Sequence, residues 1–117
     1  GDWAAKVAFW ETRWRTYLGA VTTWQGLERN WPALRSDARK KSGTTSYEYG
    51  NRSFGVVQFN LERKGREMDC SGFVGFGDYK GAGYEKRLDG YFCTKHGASP
   101  DVFVTFMKNM NIAELLN

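Results

Sequence analysis

The sequence predicts an α+β fold, with N-terminal helices and a C-terminal helix packed on one face of a roughly four-stranded antiparallel sheet. Three observations carry that expectation. Apolar residues recur at helical spacing only toward the two ends of the chain, while the middle is rich in aromatic and β-branched residues broken by turn dipeptides. The 117 residues suit one core, hence a single domain over 1–117. The composition, 41% hydrophobic and 16% aromatic, stocks that core and excludes a disordered tail. No apolar run approaches the ~18 residues of a membrane span.

At the N-terminus, Trp3, Val7, Trp10, Trp14, Tyr17, Val21 and Trp24 follow alternating steps of four and three, the seam of an amphipathic helix. Asp2 can cap it, and its end falls between Leu18 and Gln25. Phe9 lies off the seam and is the one apolar residue there with no obvious burial. A second helix is expected from Pro32 to Lys41, with Pro32 in its first turn, Arg39-Lys40-Lys41 complementing the dipole and Gly43 as the stop. Strands follow at Thr45–Tyr49 and Arg52–Leu61, separated by Gly50-Asn51, with a Val56-Val57 pair that breaks strict alternation. Glu62 to Glu67 reads as a charged hairpin tip, Met68–Phe76 as a third strand, Gly77–Gly83 as a loop and Lys86–Lys95 as a fourth strand. Ser99-Pro100-Asp101 opens a last helix with Val102, Phe103, Phe106, Met107 and Met110 as its apolar stripe.

The net charge of +4 is uneven. Arg29, Arg35, Arg39, Lys40 and Lys41 face only Glu28 and Asp37 nearby, which makes one basic patch on the predicted second helix. Cys70 and Cys93 fall on neighbouring predicted strands, where antiparallel pairing brings them to bridging distance. Such a disulfide favours a periplasmic or extracellular location. The sequence opens on Gly1 rather than Met, as expected of a processed segment with no leader.

Several stretches bear on function. The segment Arg52-Ser53-Phe54-Gly55-Val56-Val57-Gln58-Phe59 resembles the RNP1 signature of RNA-recognition motifs, in which sheet aromatics stack on bases. It departs at Ser53, where the signature has Gly, and at Val56, where a stacking aromatic belongs. The Gly-rich stretch Gly72–Gly83 is the leading candidate for a binding loop, with Tyr79, Lys80, Tyr84, Lys86 and Arg87 supplying stacking surfaces and charge for an anion or a sugar. Catalytic material is sparse. His96 is the one histidine, and Cys93-x-x-His96 lacks a second pair to complete a zinc site, so neither a metal nor a cofactor is expected.

The leading expectation is a non-enzymatic binding module of the bacterial envelope or secreted space, engaging a protein or an anionic or glycan ligand through the Gly-rich loop and nearby aromatics. Peripheral membrane contact is compatible with it. The first alternative is a nucleic-acid binder using the basic helix 29–41, the Arg63–Arg66 hairpin tip and strand 52–59. The second is a small hydrolase or transferase.

Overall fold

A computed structural model describes residues 3–11, 23–49, 52–79, 84–95, 100–111 and 116. Its framework is an antiparallel meander set by alternation and turn chemistry. Strands β4 (Arg52–Arg63) and β5 (Arg66–Tyr79) pair in one unbroken register, from Phe54 opposite Gly75 to Arg63 opposite Arg66. Lys64 and Gly65 join them at φ 53° and 73°, the paired positive values of a type I′ turn, whose twist matches the strands it links. Strand β6 (Tyr84–Thr94) returns along β5, and β1 (Trp3–Glu11) pairs along β6. On the far side, β2 (Ala38–Lys40) and β3 (Thr45–Tyr49) pair with successive parts of β4. The result is a six-stranded sheet in the order β1-β6-β5-β4-β2, with β3 also on β4. Where β2 gives way to β3, Lys41 N–H donates to the Gln58 carbonyl and Ser42 Oγ accepts from Gln58 N–H, so β4 keeps its backbone partners.

Both faces of the sheet are covered. Helices α1 (Thr23–Asn30) and α2 (Ala33–Asp37) lie on one face, and α3 (Pro100–Met110) lies on the other. On the α3 face, Phe54, Val56, Phe73, Leu88 and Phe92 meet Phe103, Phe106 and Met107. On the α1 face, Val57, Phe59, Leu61, Cys70, Val74 and Tyr91 meet Leu27 and Leu34. The Val56-Val57 pair is where β4 changes which face carries its apolar residues. Even positions 54 and 56 are apolar before it, odd positions 57, 59 and 61 after it, and the register shows no bulge. An eight-residue helix such as α1 is marginal alone. It is held here by Leu27 packed over Gly72, where a Cβ would collide with the Leu27 methyl, and by edge-to-face contacts of Trp24 with Phe59 (5.3 Å) and Trp31 with Tyr91 (5.8 Å). Asn111, at φ 52°, ends α3 in the left-handed conformation common just past a helix C-terminus.

The α+β class and the antiparallel sheet agree with the sequence reading, but the sheet has six strands rather than four and its helices occupy both faces. The main correction concerns the N-terminus. Trp3–Glu11 is a strand, because inside it the helical seam has only three members, whereas pairing with β6 satisfies the whole segment from Trp3 opposite Thr94 to Glu11 opposite Lys86. Gly90 makes room for it: a Cβ there would overlap the Lys6 carbonyl oxygen and stand 2.9 Å from Val7 Cα. Trp14, Tyr17 and Val21 lie outside the described residues. The predicted helix Pro32–Lys41 is the second correction. Only Ala33–Asp37 is helical; the chain then extends at Ala38 (φ −105°, ψ 145°), whose methyl packs into the α1-face core and which pairs with Leu61. Third, strand β5 runs on to Tyr79, so Gly77 belongs to a strand rather than a loop.

Candidate functional site

Along β6, alternation places Arg87, Asp89, Tyr91 and Cys93 on the α1 face. Asp89 is 0% exposed, and a carboxylate there must be compensated. Asn30 Nδ2 donates to Oδ2 at 2.6 Å, Trp31 Nε1 donates to Oδ1 at 3.1 Å, and Arg87 Nε stands 3.1 Å from Oδ2. The Arg87 contact lacks hydrogen-bond alignment, so charge carries that pair while the two amide and indole donors carry the directionality. Burial pushes the Arg87 guanidinium below its ordinary value; Asp89 opposes the shift and Arg29 adds to it. The cluster clamps the C-terminal end of α1 to β6. It gives Trp31 and Asp89 their roles, neither of which the sequence reading assigned. The available signal was a lone acid alternating with Tyr91 and Cys93 on a strand face.

A second feature lies at the β4–β5 hairpin end. Pairing of β5 with β6 begins at Asp69 opposite Thr94, and β2 reaches only as far as Leu61, so residues 62–67 project as a two-stranded ribbon. Strand alternation sorts the ribbon's charges. Glu62 and Glu67, opposite each other, share the α3 face with Asn60, whose Nδ2 donates to Glu67 Oε1 at 2.8 Å. On the α1 face, Leu61 and Met68 are opposite each other and form the floor of an open groove of about 430 Å³ flanked by Lys64 and Arg66. Leu61 is recessed at 6% exposure, while Lys64 and Arg66 are exposed and make no ion pair among the described residues. The groove is thus an apolar trough with a cationic rim.

Of the candidate binding residues, the side chains of Tyr84, Lys86 and Arg87 are described. Lys80 lies outside the described residues, and of Tyr79 only the backbone is described. Tyr84 and Lys86 are half-buried; the Tyr84 ring lies 4.9 Å from that of Phe76, tilted by 32°. Arg87, 8% exposed, is committed to Asp89. The basic patch is also divided. Arg29 is on α1, Arg35 on α2, and Arg39 and Lys40 point to opposite faces of β2, all exposed. Lys41 pairs with Asp69 at 3.3 Å. In the RNP1-like strand, Phe54 and Phe59 are buried on opposite faces, 1% and 0% exposed, with no ring surface left for a base.

Cys70 and Cys93 are directly opposite in register and form the disulfide, with Cα atoms 4.0 Å apart. His96 lies outside the described residues, and among those described no group of three His, Cys, Asp or Glu side chains could hold a metal. No described helix is long and apolar enough to cross a membrane. Comparison with known proteins finds no family model, no curated protein and no solved structure that matches this chain.

Proposed function

We propose that this chain is a non-catalytic binding module of an oxidising, extracytoplasmic compartment, which takes an anionic ligand at the β4–β5 hairpin end. The observation that carries the reading is the apolar trough of Leu61 and Met68 beneath Lys64 and Arg66, which make no ion pair among the described residues. Small-molecule sites commonly combine an apolar lining with a few polar groups that fix orientation. The disulfide supports the compartment, since such bonds persist where thiols are not kept reduced. The hairpin end is preferred over the 79–87 segment because Arg87 is buried and already ion-paired with Asp89.

The test is amide chemical-shift mapping with inorganic phosphate and with citrate at low ionic strength. Shifts centred on residues 64–66, abolished by the pair Lys64→Glu and Arg66→Glu, are expected. Because both side chains are exposed, the double variant should melt like the wild type, within about 0.5 kcal/mol per site. Shifts spread over every surface cation, unchanged in the double variant, would refute the assignment.

A further inference from the structure

We infer that the hairpin-end groove selects a single-chain anionic amphiphile, an alkyl phosphate or alkyl carboxylate, whose headgroup meets Lys64 and Arg66 while its chain lies over Leu61 and Met68; this rests on the anion-binding reading above. Charge assigns the headgroup. Both rim cations lack a partner among the described residues, and the ribbon's acids, Glu62 and Glu67, occupy the opposite face, where they do not compete. A carboxylate or phosphate supplies the missing counter-charge.

The floor assigns the tail. The backbone groups of Leu61 and Met68 are engaged in the β4–β5 ladder, so the trough offers apolar side chains and no free backbone partners. A peptide laid there would leave its own amides unpaired, whereas an alkyl chain loses nothing on leaving water. A bilayer surface fits less well. The ribbon projects its charged tip, Lys64-Gly65, ahead of a floor in which Leu61 is only 6% exposed, so a flat membrane meets charge and never reaches the trough.

The experiment titrates the protein with inorganic phosphate, butyl phosphate, octyl phosphate below its micelle concentration, and phosphatidylglycerol vesicles. Each fully buried methylene strengthens binding about fourfold. Octyl phosphate should therefore bind at least about tenfold more tightly than butyl phosphate even if half the added chain is buried, and should shift the Leu61 and Met68 methyl signals. Met68→Asp, at a half-buried position, should abolish the chain-length gain while leaving the phosphate-induced shifts at 64–66 in place. Equal affinity for butyl and octyl phosphate, with shifts still confined to 64–66, overturns the amphiphile and leaves the anion site standing. Tighter association with vesicles than with octyl phosphate also overturns it. Absence of any response at 64–66 removes both readings. The chain-length series uses the unmodified protein, so the outcome does not depend on how well the variant folds.

Discussion

Replacing Asp89 by Ala should be among the most damaging single changes in this protein that touch no apolar packing. The carboxylate is fully buried and answers Asn30 Nδ2, Trp31 Nε1 and the Arg87 guanidinium among its partners. Truncation leaves Arg87, 8% exposed, without its facing anion, and strips the acceptor from two part-buried donors. Removing one partner of a buried ion pair costs about 3–5 kcal/mol, against a total stability for such a domain of about 5–15 kcal/mol. At about 2.1 cal/mol/K of unfolding entropy per residue, 117 residues lose roughly 4 °C per kcal/mol, so the melting temperature should fall by roughly 12–20 °C.

The assay is urea unfolding followed by tryptophan fluorescence with the disulfide intact, on the wild type, on Asp89→Ala, and on the cycle of Asp89→Leu, Arg87→Met and their double variant. Because the penalty comes from stranded polar groups rather than from loss of a net-favourable bond, the double variant should recover part of the loss and lie within about 2 kcal/mol of the wild type. Strict additivity of the two single changes, or a cost below about 1 kcal/mol for Asp89→Ala, would show that the cluster does not fasten α1 to β6.

Other expectations follow from the same packing. Gly90→Ala places a methyl group against the Lys6 carbonyl and Val7 backbone; overpacking of about 1–3 kcal/mol or more should appear together with faster hydrogen exchange along Trp3–Glu11. Phe73→Ala empties the position touching Phe54, Phe103 and Phe106, which should cost about 3–5 kcal/mol and expose α3 amides in hydrogen exchange before those of the central strands. Converting Cys70 and Cys93 to Ala removes a closure over 23 positions, worth about 3.5 kcal/mol in the chain-entropy model; equilibrium unfolding measures it, and reduction of the native protein should add the mass of two hydrogens.

Elements whose local signals agree with tertiary context were legible in the sequence. The last helix begins at Pro100 as its Ser-Pro-Asp start implies, β3 spans Thr45–Tyr49 as its alternation implies, and the Cys70–Cys93 bridge follows from neighbouring strands. Misreadings arose where two periods fit the same residues. Trp3, Val7 and Trp10 satisfy a helix, but Ala5, Val7 and Phe9 satisfy a strand, and the choice is made by β6 more than seventy-five positions later. Phe9, left out of the helical seam, was the informative exception. At 39% exposure, with Val7 at 37%, it remains partly uncovered even in the strand. The glycines misled for a related reason. Local sequence cannot separate a glycine that turns the chain from one that admits a neighbour, and Gly72 lies under Leu27 within a continuous strand.

The sequence marks residues 62–67 as a charged hairpin tip, but which of its charges share a face with an apolar floor depends on the strand period. Residues 62–67 hold three cations and two anions, whose distribution between the two faces the sequence leaves open. Pairing opposite residues across a period of two sends Glu62 and Glu67 to one face and leaves Arg66 beside Met68 on the other, so the groove floor is flanked by cations alone among the described side chains. The reverse happens at Arg39-Lys40-Lys41. On a helix these residues would add to one basic end, but on β2 the first two diverge to opposite faces, and the third, beyond the strand, is neutralised by Asp69. The switch from helical to extended periodicity therefore divides Arg39 and Lys40 between the two faces. The same periodicity separates the acids of the hairpin tip from Arg66. For small mixed folds, the type of element has to be decided before a charge cluster can be read as a surface.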